Sequence, residues 1–161
     1  MTTNYTGGCS CGSVKYTLLD APIFTHCCHC HLCQQITGSA FITNTLIEGA
    51  NFQLTSGELA PFTGPSGSGG KHIIKRCLNC GDPVVSYLGG TEHLAVVKAG
   101  TFDNPNLAPP QAHIFVDTKV EWLQLPIDTP AFKAFYDFEE TFPAESFSRY
   151  QAIQKLRAQQ T

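Results

Sequence analysis

The chain of 161 residues has the length of a single domain with a core of its own, large enough to need no disulfides. Its net charge of −3, with only 10 Lys and Arg, gives no basic face for nucleic acid, and no apolar run approaches the ~20 residues of a membrane helix. Charged residues are sparse at 14%, and 14 Gly with 10 Pro favour strands and tight turns around a core rich in the 11 Phe.

Met1 to Tyr5 has neither a basic start nor an apolar run, so no secretory signal is expected. Gly7-Gly8-Cys9-Ser10-Cys11-Gly12 is a glycine-flanked hook whose small residues let the backbone wrap an ion closely. It runs into Val14 to Leu18, where apolar and polar residues alternate as in a strand with one buried face. Ala21-Pro22 breaks that strand, and Ile23 to His26 delivers the chain to Cys27-Cys28-His29-Cys30-His31-Leu32-Cys33. Gln34 to Ser39 is predicted as a short helical turn or loop, and Ala40 to Thr43 as a strand. Asn51 to Gly57 reads as a strand closed by a turn, with Leu59 to Thr63 pairing back on it.

Gly64 to Gly70 is a low-complexity stretch, expected to be a hairpin loop between Phe62 and Ile73 rather than a linker, because the cysteines on both sides must share metals. Lys71 to Arg76 leads into Cys77-Leu78-Asn79-Cys80. Gly81-Asp82-Pro83 turns the chain and Val84 to Leu88 returns as a strand. His93 to Gly100 is a strand with an apolar centre, buried on both faces. Thr101 to Gln111, with three prolines, is a surface loop, and Ala112 to Asp117 a late strand. Ala144 to Gln160 lacks Gly and Pro, and Phe147, Tyr150, Ala152, Ile153 and Leu156 recur at near-helical spacing. An amphipathic C-terminal helix docked on the sheet is the expectation.

Four of the eight cysteines fall within residues 27–33, and the other four form two short-spaced pairs. Eight thiols could make four disulfides of a secreted scaffold, but adjacent Cys27 and Cys28 pair awkwardly and the spacings are those of metal hooks. Zinc thiolate in a reducing, cytoplasmic compartment is the expectation. Spacing allows two partitions. In one, Cys30/Cys33 and Cys77/Cys80 make a zinc ribbon and leave Cys9 and Cys11 with Cys27 and Cys28. In the other, Cys9, Cys11, Cys77 and Cys80 close a four-thiolate site, and Cys28, Cys30 and Cys33 form a second with a coordination position open. The spare Cys27 reads as a buried thiol. His29 reads as supporting the cluster rather than ligating, His31 as exposed, and His113 as a satisfied core histidine. Lys71, Lys75 and Arg76 are either a solvated face or a source of positive charge for a substrate.

Residues Gly7 to Tyr16 resemble the opening signature of the glutathione-dependent formaldehyde-activating (GFA) family, whose domain is shared with centromere protein V. Cys28-His29-Cys30-His31-Leu32-Cys33 with Gly38-Ser39 resembles its Cys-His-Cys-x-x-Cys segment, and Cys77-Leu78-Asn79-Cys80-Gly81 its Cys-x-x-Cys-Gly. Ala99 to Asp103 is similar to its Gly-Thr-Leu-Asp segment, and His113 to Asp117, ending at Trp122, to its closing strand. The resemblance covers about residues 5–125 of a single domain spanning 1–161, with the helical tail at about 143–160. It implies a mainly β, Mss4-like zinc-bound fold and the second partition: a structural zinc on Cys9, Cys11, Cys77 and Cys80, and a labile catalytic zinc on Cys28, Cys30 and Cys33. It also implies a carbon–sulfur lyase typified by joining glutathione and formaldehyde into S-hydroxymethylglutathione. Two positions depart from the family pattern: Gln34 stands where Arg is usual after the third cysteine, and Glu121 where Pro is often found. The loss of a cation suited to an anionic thiol brings in a lyase for a thiol other than glutathione. The rival from another class is a non-catalytic zinc module that binds a protein partner.

Overall fold

The structure, a computed structural model, describes residues 4–66 and 70–160, and the middle of the glycine-serine stretch lies outside that range. Among the described residues, short alternating segments build ten strands: β1 Tyr5–Gly8, β2 Lys15–Leu18, β3 Phe24–Cys28, β4 Ile42–Glu48, β5 Phe52–Ser56, β6 Leu59–Gly64, β7 His72–Cys77, β8 Pro83–Leu88, β9 Leu94–Lys98 and β10 Ala112–Ile114. The helices are α1 His31–Thr37, α2 Phe138–Thr141 and α3 Ala144–Ala158. A three-stranded sheet runs β1-β2-β5, and a seven-stranded sheet runs β10-β3-β4-β9-β8-β7-β6. The ladders are antiparallel except at one edge, where β10 lies parallel to β3.

Side chains alternate across a strand, so the large sheet has two differently used faces. Ile47, Val85, Tyr87, Ala95 and Val97 face the small sheet and pack on Val14, Tyr16 and Leu18. Phe24, Cys28, Ile42, Leu46, Leu94, Val96 and Ile114 face the C-terminal segment and pack on Tyr136, Phe142 and Ile153. β9 is buried along its whole length, as its apolar run requires when both faces are covered. The late strand is shorter than expected: after Ile114 the backbone enters the left-handed region at Phe115, φ 55°, and continues as a single helical turn, Val116–Thr118.

Leu59 to Thr63 does not pair back on β5. β5 pairs with β2 and β6 with β7, so the two lie in different sheets. Gly57 redirects the chain between them at φ 78°, and a Cβ there would sit 2.2 Å from the Ser13 carbonyl oxygen. The expected helical turn after Cys33 begins earlier, at His31, and therefore carries Cys33 itself. The strand expected from Ala40 begins at Ile42 and extends to Glu48. α3 is less amphipathic than its spacing suggests, since Ile153 alone is buried while Leu156 is 48% exposed. Phe147 and Tyr150 pack partly buried on the same core as Ile153, and Arg149 adds a polar anchor, through Nε to Glu48 Oε1 at 2.7 Å, Nη2 to Glu48 Oε2 at 2.6 Å and Nη1 to the Ala21 carbonyl at 2.9 Å. No helix among the described residues is long and apolar enough to cross a membrane.

Candidate metal centres

The turn after β1 carries Cys9 and Cys11, and the β7–β8 turn carries Cys77 and Cys80. The fold brings these two turns together, with the four Sγ atoms within 4.8 Å of one another. Cys9 Sγ lies 3.4 Å from Cys11 Sγ, and Cys11 Sγ lies 3.8 Å from Cys77 Sγ. A tetrahedron with zinc–sulfur arms of 2.3 Å has edges of about 3.8 Å, so the cluster has the dimensions of a tetrathiolate cage. Local bonds shape both hooks. The Val14 amide donates to Cys9 Sγ at 3.2 Å, and the Gly81 amide to the Cys77 carbonyl at 2.9 Å. Gly81 closes the second hook at φ 80°, where a side chain would strain the backbone. The Ser10 amide donates to Asp82 Oδ2 at 2.7 Å, tying one hook to the other. Hydrogen bonds from Ser13 and Asn79 pull the Cys11 thiol down to about 5, favouring the thiolate a metal requires.

Cys28, Cys30 and Cys33 form a second cluster on the other face of the large sheet, again with Sγ atoms within 4.8 Å of one another. Cys28 ends β3, Cys30 caps α1 with its Sγ accepting from the Cys33 amide at 3.4 Å, and Cys33 lies one turn into that helix. The three thiols are hydrogen-bonded to one another, and bonds from Cys28 and Cys33 hold Cys30 well below its ordinary range while Cys28 is pushed far up by its bond to Cys30, so the three titrate as one unit. The backbone linking the ligands is braced: the His29 amide donates to the Ile114 carbonyl at 3.0 Å, and the His29 carbonyl accepts from Gln34 Nε2 at 2.8 Å and Thr118 Oγ1 at 3.1 Å. Gln34 Nε2 also donates to the Thr118 carbonyl at 2.9 Å. Gln34 is thus a brace between α1 and the turn after β10.

Strand alternation separates Cys27 from its neighbour Cys28. Cys27 is buried on the opposite face, 3.6 Å from Thr43 Oγ1, and belongs to neither cluster. His29 is wholly buried, its Nε2 2.9 Å from Nδ1 of buried His113, and neither imidazole joins a cluster. His31 is exposed. His26 Nδ1 lies 2.9 Å from the Tyr136 hydroxyl, and burial, with the charge of Lys98, drops the imidazole to about 3, so it is neutral at pH 7. Lys75 pairs with Glu92 at 2.7 Å, and Arg76 Nη1 donates to the Gly81 carbonyl at 3.1 Å, so this basic segment is engaged locally.

The three-cysteine cluster forms part of the wall of a cavity of about 280 Å³. Sequence reasoning missed most of its polar and aromatic lining. Lys98 is buried within it, its Nζ donating to Asn44 Oδ1 and Ser86 Oγ, each at 3.0 Å. Burial lowers its ammonium to about 8, against the opposing pull of Cys33 and Cys28. The available signal was its phase: Leu94, Val96 and Lys98 share one face of β9, so the lysine points where the preceding apolar residues point. Phe135, Phe138, Tyr150 and Arg157 line the cavity from the C-terminal segment.

No curated protein matches the chain. Among solved structures it is similar to a Rhodobacter sphaeroides protein determined as a Northeast Structural Genomics target, with 14% identity, a TM-score of 0.47, and coverage of 79% of this chain and 98% of that one. The family model described as glutathione-dependent formaldehyde-activating enzyme matches residues 4–118, a span that holds both thiol clusters and all ten strands. With that match over most of its length, the chain belongs to the glutathione-dependent formaldehyde-activating family.

Proposed function

We propose that this protein is a zinc-dependent carbon–sulfur lyase acting on the adduct of a thiol and an aldehyde, the type reaction being that of glutathione and formaldehyde. The observation that carries the proposal is the contrast between the two clusters. One has four thiols at tetrahedral spacing, while the other has three thiols beside a cavity of about 280 Å³. In this reading Cys9, Cys11, Cys77 and Cys80 hold a structural zinc, and Cys28, Cys30 and Cys33 hold the zinc at the reacting centre. The whole chain works as one unit, because its C-terminal segment supplies a wall of the same cavity. Zinc held by three thiolates supplies a seat for one further thiol and lowers that thiol's pKa.

The chain's own residues provide the surroundings. Apolar side chains of the large sheet exclude water from the thiol and aldehyde, which favours the adduct over hydration of the aldehyde. Lys98, fixed by Asn44 and Ser86, holds positive charge beside the cluster, where a bound thiol adds negative charge. In the forward direction a sulfur lone pair forms the C–S bond and the carbonyl π pair moves to oxygen. The thiol's proton ends on that oxygen, so the product is the hydroxymethyl thioether, and the lyase direction is the reverse.

The test is calorimetric titration of the fully zinc-loaded protein with glutathione and with 2-mercaptoethanol, each against its S-methyl form. Saturable binding of a free thiol that its methylated form cannot reproduce is the expected result. If neither thiol binds and X-ray absorption shows no exchangeable ligand at the second zinc, that zinc is closed and the protein is a zinc-stabilised β module.

A further inference from the structure

The cavity beside Cys28, Cys30 and Cys33 is built from two sources. The thiols, Asn44, Ser86 and Lys98 lie within residues 4–118, the part matched by the family model, while Phe135, Phe138, Tyr150 and Arg157 come from beyond it. A common reacting centre therefore meets a wall that the matched region does not contain. That wall is aromatic: Phe138 stacks on Tyr150 with ring centroids 4.3 Å apart and planes 9° apart, and Phe135 packs against Phe138 at 5.4 Å. The opposite wall is aliphatic, including Ile42, Leu46, Ile74 and Val96.

Apart from the thiols, the charged side chains are cationic: Lys98 and Arg157 line the cavity, and none of the described lining residues is Asp or Glu. Lys98 uses two of its three N–H bonds on the neutral acceptors Asn44 and Ser86, which leaves the third for a ligand. Glutathione suits this chamber poorly. Its ammonium would enter a cavity with no carboxylate to receive it, and its two amides would lose water against hydrocarbon. A thiol with a flat apolar body and one anionic group meets no such mismatch.

Resting on the lyase reading above, we propose that the substrate of this protein is an arylalkyl thiol, or its aldehyde adduct, bearing one carboxylate. The sulfur sits at Cys28, Cys30 and Cys33, the ring against Phe135 and Phe138, and the carboxylate on Lys98. The C-terminal segment is then the specificity element.

The experiment titrates the zinc-loaded full chain with 4-(mercaptomethyl)benzoate, benzyl mercaptan and glutathione, read by calorimetry so that turnover is not required. The aryl carboxylate thiol is expected to bind about tenfold more tightly than either of the others, a difference of the size given by one charge-assisted hydrogen bond. In Lys98→Met the ratio between the aryl carboxylate thiol and benzyl mercaptan should fall towards one. Should that variant fail to fold, Phe135→Ala provides a second reading, because this ring is 46% exposed. It should weaken both aryl thiols about fivefold and shift the preference towards glutathione. Equal or tighter binding of glutathione by the wild type would overturn the substrate class while leaving the lyase reading standing. So would a Lys98→Met variant that weakens charged and neutral aryl thiols alike. Binding of none of the three thiols would overturn the lyase reading, and this proposal with it.

Discussion

Cys27 and Cys28 are adjacent in sequence, yet one faces Thr43 inside the core and the other faces the second thiol cluster. The difference is testable with two single substitutions. Cys30→Ala should lower metal content by one ion per chain, measured by atomic emission, with far-ultraviolet circular dichroism retained. Cys27→Ala should leave metal content unchanged and cost about 1 kcal/mol in chemical denaturation, the size of a small cavity. Gln34 gives a third check. Gln34→Ala removes two hydrogen bonds that brace the His29–Thr118 link, so it should destabilise the fold by about 1–2 kcal/mol. The short spacing of the thiols made the two metal-compatible clusters legible in the sequence, and the alternation of side chains along β3 explains why Cys27 stands apart. Lys98 was not legible in the same way. His93 to Gly100 reads as a strand buried on both faces, but its residues do not say that Asn44 and Ser86, on neighbouring strands, would hold the buried ammonium.

At the scale of elements, α3 shows what a periodic pattern identifies and what it leaves out. Its apolar residues recur at helical spacing and the helix forms, with Ile153 buried, Phe147 and Tyr150 packed partly buried beside it, and a forked pair between Arg149 and Glu48 added at its flank. Burial pushes the Glu48 carboxyl up, and the hydrogen bonds and charge of Arg149 outweigh it, so the group lies below its ordinary value when folded. A carboxyl depressed by folding contributes stability that is present above its unfolded value of about 4.3 and lost as pH falls through the folded value. Glu48→Gln should therefore be less stable than wild type at pH 6 by about 1–3 kcal/mol, and the two proteins should converge in urea denaturation as the pH is taken below 4. In hydrogen exchange, Arg149→Ala should lose protection along α3 before the large sheet does. The pairing of β6 was also misread, because alternation identifies a strand without identifying its partner, and the glycine at position 57 decides which sheet receives it.

Across the whole molecule, the four-cysteine cluster joins the turn of the small sheet to the β7–β8 turn of the large one, closing a loop between Cys11 and Cys77. The three-cysteine cluster closes only the short span from Cys28 to Cys33 and belongs to one layer. Stepwise chelation should accordingly show two stages: release of a first metal with secondary structure intact, then release of a second with cooperative unfolding, followed in parallel by metal-indicator absorbance and circular dichroism. The mainly β class, the two-cluster arrangement and the C-terminal helix were all accessible from turn residues, alternation and the family resemblance. The cavity was not, because its walls come from β3, β4, β7, β8, β9 and the C-terminal segment, which are scattered along the chain and meet only in the folded protein.

The parallel strand at the sheet edge has a consequence for how the protein is made. Ala112 pairs with His26, and β10 supplies the last neighbour of β3. During synthesis, the strand bearing Cys28 stays an open edge until residue 112 has left the ribosome, which at 5–20 residues per second takes roughly 4–17 s. The nascent chain thus presents Cys28, Cys30 and Cys33 before the roof over them exists, and in that interval the thiols are open both to oxidation and to any metal ion they can take up.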